Sequence, residues 1–593
     1  MDIKKELLSE LLDIDIEDFD DYCQNASSEV ISCEELNHFL NDKYKDDNSD
    51  ELYDAGVELL EDKEYDLASI FFLKSSNLGN KDATYNLGCL YMYGDGVAQN
   101  DSKAFDSFMK AYELGCLDAC PLLANMFFKG NGTEKDYVKA FEFSKKAGEA
   151  GDVQSILRLG YMYEKGYGVE QDDVKALKYY LKASELGNLS ATFYAAIMYE
   201  TGRGAEKNES KAFQLYLKAS KLGDADATYN VGNMFYNGIG VQKDYGKAYD
   251  YFVKASKLGD ADATYNVGDM FYNGTGVQKD YGKAYNYFVK AEELGNKDSV
   301  WYLGYMNANG IGVVQNYVRA LEYYDKGSEY GISDCMVKAG YLYEKGLGVA
   351  QSYEKAFEYY KKASEFGDEG AIYNLGVMYE GGQGVAKNFT KAYEMFKKAG
   401  DLGFAEAICE LGVLYSKKEW EAKDYGKAFE YYQNAREKKL PRASYNMAVL
   451  YMNGNGVERN FNKGLELFRE AALMNYPFAF LQIGRIYEDG CGVKRNKKKA
   501  LDFYIYADQL GVIAAGKKIE ELKAQGAVKE EEAQQIKDYI NDLIQNEIED
   551  CISDVVSNAI DKLLDEEGSV IGEAIGDATG KVVADIIMSG VKS

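Results

Sequence analysis

Residues 227–262 read ATYNVGNMFYNGIGVQKDYGKAYDYFVKASKLGDAD, and residues 263–298 read ATYNVGDMFYNGTGVQKDYGKAYNYFVKAEELGNKD. The two stretches agree at 29 of 36 positions. Working outward, the same pattern restarts every 36 residues, at Ala83, Ala119, Ser155, Ala191, Ala227, Ala263, Ser299, Cys335, Ala371, Ala407, Ala443 and Ala479. It runs without insertion to Ala514. A period of this length marks an array of supersecondary units, each too small to bury its apolar face alone. A near-copy is what duplication of a whole unit leaves behind. An array lengthened by one unit still stacks, whereas such an insertion would break a catalytic pocket, so the pattern favours a scaffold.

Within a unit numbered from one to 36, position 6 is always Gly or Ala, from Gly88 and Ala124 to Gly484. Position 22 is Ala in eleven units and Gly464 in the other; position 29 is Ala in eleven and Gly327 in the other. Gly inside a helix costs about 1 kcal/mol against Ala, so positions closed to larger residues indicate close helix crossings. A first helix is expected to end at Gly-x-Gly, as in Gly94 to Gly96, Gly238 to Gly240 and Gly346 to Gly348, where Gly takes the left-handed conformation. This is not a phosphate loop, because it follows a helix and lacks the third Gly. The second helix, such as KALKYYLKASELG from Lys175, repeats apolar residues at three- and four-residue steps and is amphipathic. Asp226 is expected to cap the next first helix, and Pro441 and Pro477 fall where a helix start tolerates Pro.

The pattern A-x-Y-x-L-G-x-M-Y-x-x-G-x-G-V-x-x-D-Y-x-K-A-x-x-Y-Y-x-K-A-x-x-L-G resembles the Sel-1-like repeat family, relatives of tetratricopeptide repeats with a longer loop. The units at Ser155, Ala227 and Ala371 match almost throughout. The resemblance implies an all-α fold: a right-handed superhelical solenoid of antiparallel helix pairs with a concave, protein-binding face. The unit at Ala407 departs from it, with Ser416-Lys-Lys-Glu-Trp420 in place of the Gly-x-Gly loop. Some family members described as weak β-lactam hydrolases look cysteine-rich, with a disulfide in each repeat, a pattern missing here.

The expected organisation follows. Residues 1–50 form an acidic N-terminal cap with 16 Asp/Glu against 4 Lys, and Leu7, Leu8, Leu11 and Leu12 could dock on the array. Residues 51–82 are a shortened, tetratricopeptide-like repeat, and 83–514 are the twelve full ones. Residues 515–566 are capping or oligomerisation helices, with Ile536, Ile540, Ile544, Ile548 and Ile552 opening a four-residue apolar stripe. Residues 567–593 carry a glycine zipper, Gly568, Gly572, Gly576 and Gly580, interrupted by charges. The acidic run Asp13 to Asp21 lacks the Gly and terminal Glu of a calcium loop.

A net charge of −30 disfavours nucleic acid, whose binding needs basic patches, and anionic lipid. No signal-peptide pattern or long apolar run is present, and the 9 scattered cysteines read as free thiols, so the expected location is cytoplasmic. The one His, His38, rules out a His-based triad or His-ligated zinc within the array. No catalytic, cofactor or metal site is expected. The expected partner is a protein or peptide; the alternative is a membrane-associated or self-assembling organiser acting through the C-terminal glycine-zipper segment, with self-association through residues 531–593 favoured over membrane contact.

Positions 4, 7 and 11 share one stripe of the first helix and vary while the packing positions do not, which indicates exposure. The candidate binding residues are Asn86, Tyr161, Tyr194, Asn230, Asn233, Asn266, Asp269, Tyr302, Tyr305, Tyr341 and Asn374. Asn offers a donor and an acceptor to a peptide backbone, and Tyr offers rigid contact area.

Overall fold

The chain is described from a computed structural model. The described residues are 2–4, 30–43, 48–526, 533–534 and 536–538. They fall into two compact units that divide between Ser299 and Val300, and the same helix-pair design builds each.

Local chemistry sets the helix boundaries. In the unit at Ala227 the first helix spans Ala225–Asn237 and the second Tyr245–Lys257. The second begins at Asp244, whose side chain accepts the Lys247 backbone N–H at 3.0 Å. All twelve repeats start this helix on an Asn, Asp or Ser that caps it the same way, from Asn100 through Ser352 to Asn496. The first helix is capped by Asp224, which accepts from Ala227 N–H at 2.7 Å, and not by Asp226 as expected. Asp226 lies in the first turn. The cap must stand in extended backbone just outside the helix, and Asp224, at ψ 122°, does. Pro441 and Pro477 each open their helix, where the missing N–H costs nothing.

The two loop glycines do different work. Gly238, at φ 75°, ends the first helix in the left-handed conformation. The second loop Gly also has positive φ and packs on the preceding repeat: a β-carbon on Gly276 would stand 2.7 Å from the Tyr245 Cβ. In the unit at Ala407 the helix stops at Ser416, and Trp420 anchors the loop instead, with its ring 4.5 Å from Tyr415 and 5.7 Å from Tyr393.

Position 6 faces the aromatic ring at position 26. A β-carbon on Gly232 would lie 2.7 Å from the Phe252 ring, and one on Gly160 equally close to Tyr180. The expected close crossing is therefore a glycine–ring contact. Where that ring is Tyr, a Glu at position 10 often receives its hydroxyl: Tyr180 to Glu164 and Tyr216 to Glu200 at 2.7 Å, Tyr360 to Glu344 at 2.9 Å, Tyr504 to Glu488 at 2.6 Å. The other exceptions are volume exchanges. Gly464 makes room for the Met452 sulfur, and Gly327 for Cys335.

A second layer stacks rings at positions 9 and 25 and covers them with the position 21 lysine. Phe235 and Tyr251 stack at 5.7 Å with the Lys247 ammonium 5.3 Å from the Phe235 ring; Phe271, Tyr287 and Lys283 repeat this. Such cation–π contacts are worth about 0.5–1 kcal/mol at exposed sites. Neighbouring second helices are tied by Lys254 donating to the Ser220 carbonyl at 2.7 Å, while Thr228 donates to the Ser220 hydroxyl. Further on the polarity is inverted: Arg436 donates to Glu470 at 2.6 Å, and Ser444 donates to the same carboxylate.

At the N-terminal end the helix pair Ser49–Glu61 and Tyr65–Asn77 precedes the array, and Gly56 meets the Phe72 ring as in a full repeat. Helix Cys33–Lys43 buries Leu36, Phe39 and Leu40 in the same core as Leu67, Phe71 and Phe72. Ser32 and Glu35 cap it reciprocally. One departure from pure helix is a short antiparallel pairing of strand Asp2–Lys4 with strand Val30–Ser32. Leu7, Leu8, Leu11, Leu12 and the Asp13 to Asp21 run lie outside the described residues. At the other end, helix Ile513–Ala524 packs on Lys497–Gln509, and Ala533 and Ile536 join that core. Residues 539–593, with the rest of the isoleucine stripe and the glycine zipper, also lie outside the described residues.

Candidate functional site

The first helices carry the candidate stripe, and their packing decides which positions point outward. In helix Ala225–Asn237, Ala227, Val231, Gly232, Met234 and Phe235 are buried. Asn230 and Asn233 are half-buried and Asn237 is exposed. Helix Ala261–Asn273 repeats this with Asn266, Asp269 and Asn273. The helical period thus leaves one lane per repeat open to solvent.

The structure separates the candidate residues into those already engaged by the protein and those left open. Position 4 can bridge to position 3 of the preceding repeat. Asn86 lies beside the Tyr53 hydroxyl, Arg158 donates to the Pro121 carbonyl at 3.3 Å, Asn446 donates to the Cys409 sulfur at 3.5 Å and Gln482 donates to Tyr445 at 3.2 Å. Glu410 is buried outright: Arg442 donates to it at 2.7 Å, and Tyr373 approaches it at 3.5 Å. Burial first, then the Glu410 charge, pushes the Tyr373 hydroxyl up to about 12. The first-helix face from Glu410 to Gln482 is therefore largely closed by its own contacts.

The side-chain amides of Asn230, Asn233, Asn266 and Asn374 make no hydrogen bond among the described residues. Asp269 accepts from Asn273 at 2.8 Å. The tyrosines are mixed. Tyr194 is 40% and Tyr341 46% exposed; Tyr194 lies 5.4 Å from the Tyr180 ring, and the Lys345 ammonium sits 5.7 Å from Tyr341. Tyr161 joins a cluster with Tyr167 and Phe128. Tyr305 stacks on Trp301 at 5.2 Å, and Tyr302 meets the same indole edge-on at 5.0 Å.

Two members of the open lane escaped the positional reading. Asp226 and Asp262 stand four residues before Asn230 and Asn266 and are exposed, so each lane runs Asp226, Asn230, Asn233, Asn237 and Asp262, Asn266, Asp269, Asn273; of the two, Asp262 already accepts from the Asn296 side chain at 2.8 Å. The spacing of four, three and four is visible in the sequence, but an Asp just before a helix also reads as a cap.

Among the described residues Cys116, Cys120, Cys335 and Cys409 are buried, while Cys89 and Cys491 are half-buried. Burial pushes Cys89 up to about 11 and Cys335 and Cys409 up to about 12. Among the described residues no group of three or more His, Cys, Asp or Glu is placed to hold a metal ion, and no helix is long and apolar enough to cross a membrane.

The Sel1 repeat family model matches twelve times in succession, over residues 81–116, 117–152, 153–188, 189–224, 225–260, 261–296, 297–331, 333–368, 370–404, 405–439, 441–476 and 481–511. Among solved structures the chain is similar to c5321, a protective antigen present in uropathogenic Escherichia coli strains displaying an SLR fold. That match has 27% identity and a TM-score of 0.66, covering 73% of this chain and 93% of that one. It also matches a Sel1 repeat protein from Oxalobacter formigenes with 28% identity and a TM-score of 0.44, covering 51% of this chain and 88% of that one. Comparison with curated proteins finds no match.

Proposed function

The chain belongs to the Sel1 repeat family, and on that premise we propose that it is a non-enzymatic scaffold or adaptor that holds an extended partner segment along its first helices. The observation that carries this reading is the open lane. Asn230, Asn233 and Asn266 present unpaired amides in successive repeats, while the equivalent residues Glu410, Asn446 and Gln482 are tied to neighbouring helices. A side-chain amide can donate to a peptide carbonyl and accept from a peptide N–H, which suits an extended strand of any sequence. In the first unit the half-exposed ring of Tyr194 adds contact area at low entropic cost; the second unit carries Tyr302, Tyr305 and Tyr341 on its own first helices. The family's repeat is generally a non-catalytic interaction fold, and the working location is the cytoplasm.

A photo-cross-linking amino acid at Asn233 or at Asp269 tests this in the intact cell. Both positions should capture the same protein, and a cross-linker at Lys257 on a second helix should not. Equal capture from both faces would contradict the reading.

In a second reading the chain works by self-association through residues 531–593. Ile536, the first member of the isoleucine stripe, is buried against the last repeat, so the start of that segment caps the array. The remainder lies outside the described residues.

A further inference from the structure

The loop and second-helix start of the last repeat read Lys494-Arg495-Asn496-Lys497-Lys498-Lys499. This loop lies against the preceding repeat, where a β-carbon on Gly492 would stand 2.7 Å from the Phe461 Cβ. Arg459 sits 4.9 Å from that Phe461 ring, and Lys463 stands in the first turn of helix Phe461–Leu473. The two repeats thus share one cationic edge. In other repeats the cap carboxylate offsets the lysine three residues on, as Asp244 does for Lys247 at 3.3 Å and Asp172 for Lys175 at 3.0 Å. Here the caps are the neutral Asn460 and Asn496.

The edge stays uncompensated. Arg495 donates to the Glu488 carbonyl and Lys497 to the Gln525 side chain, both at 2.7 Å. Arg459, Lys463, Lys494, Arg495 and Lys497 meet no carboxylate among the described residues. Glu458 is the one carboxylate in the stretches 458–463 and 494–499. Helix Lys497–Gln509 has no acid in its first turn, so its positive end adds to the field. The edge fits a carboxylate-rich partner of limited extent. A long polyanion would run on into a chain of net charge −30, which disfavours nucleic acid.

The first unit carries such a surface. Residues 50–66 contain eight carboxylates against Lys63. On helix Ser49–Glu61, Asp50, Asp54, Glu58 and Glu61 are exposed and follow at steps of four, four and three, which places them on one stripe. Asp62 and Glu64 extend it into the turn. None of these carboxylates forms an ion pair among the described residues. Like charges at this spacing repel, so each surface is relieved by meeting the other. We propose that the basic edge of one copy docks on the acidic stripe of a second copy. The contact joins two different surfaces, so it is heterologous and leaves one of each free for further copies.

Sedimentation velocity of the full chain over a concentration series tests this. Association should grow with concentration at about 0.05 M salt and vanish at about 0.5 M, because exposed charges are screened. The variant Lys494→Glu with Arg495→Gln adopts the Glu170 and Gln171 of an equivalent loop. The variant Asp54→Lys with Glu61→Lys adopts the Lys338 and Lys345 of an equivalent helix, so both should fold. Each alone should lose about tenfold or more in self-affinity, since modest exposed pairs are replaced by repulsion. Mixed one to one, the two variants should form a heterodimer that grows no further, because each keeps the surface the other lacks. A chain that is monomeric at every concentration would overturn the proposal. So would a mixture that stays monomeric, or association unchanged in both variants, the result expected if residues 531–593 drive it instead.

Discussion

Gly327 lies directly against Cys335: a β-carbon on Gly327 would stand 2.7 Å from the Cys335 Cβ and overlap its sulfur. In the other repeats the same two positions are Ala followed by Ala or Ser, as in Ala219 with Ala227. The pair thus exchanges volume across a repeat junction. Gly327→Ala alone should destabilise the protein by about 1–3 kcal/mol through overpacking. Adding Cys335→Ala recreates the pairing found elsewhere and should recover most of that loss in urea unfolding. Losses that simply add would show that the two residues do not share this space.

Tyr180 and Glu164 are coupled in a way that pH can read. Burial raises the Glu164 carboxyl, but hydrogen bonds from Lys165, Tyr180 and Arg203 outweigh it and hold the group below its usual range. A carboxyl depressed in the folded state stabilises above its unfolded value, about 4.3. It loses that contribution as pH falls through the folded value. Glu164→Gln should therefore flatten the acid limb of the stability profile. Tyr180→Phe should cost about 1–3 kcal/mol at neutral pH by removing a bond to a charged acceptor, and little at acid pH. A Tyr180→Phe loss that is independent of pH would rule out this coupling.

The capping assignment separates two aspartates two residues apart. Asp224→Ala should lower stability by about 1 kcal/mol, because Ala227 N–H loses its acceptor. Asp226→Ala should be near neutral for stability, since its side chain is exposed. Thermal unfolding of the two variants decides the matter, and the reverse order would restore Asp226 as the cap.

Cys335 and Cys409 are fully buried, and their thiols are raised to about 12. Since the thiolate is the reacting species, iodoacetamide at mildly alkaline pH should leave both unmodified in the native protein and label both after denaturation. Mass spectrometry of the two digests reads this directly. Rapid native labelling would mean that the repeats open locally.

The helix pairs, their register and the close crossings were legible because the same 36-residue pattern states them twelve times. Gly or Ala at position 6 announced a close approach, although only the structure shows that the approaching group is the ring at position 26. What one repeat trades with the next was not legible. Nothing in Gly327 or Gly464 by itself names Cys335 or Met452 as the group that fills the space. The cap was misplaced for a related reason: Asp224 and Asp226 are the same residue type, and only backbone conformation distinguishes them. On the binding stripe the sequence marked the variable positions. It could not show that Asn446 and Gln482 bridge helices while Asn230 and Asn266 stay open, because that depends on which side chain the preceding repeat presents.

If the open amide lane on the first helices binds the partner, removing its amides must weaken the complex. The most direct measurement is the affinity of the protein captured by cross-linking at Asn233, titrated calorimetrically against the wild type and the Asn230→Ala, Asn266→Ala variant. Circular dichroism should confirm unchanged helix content. A loss of about tenfold or more is expected, from two hydrogen-bonding side chains worth about 0.5–1.5 kcal/mol each. Unchanged affinity in a fully folded variant would contradict it.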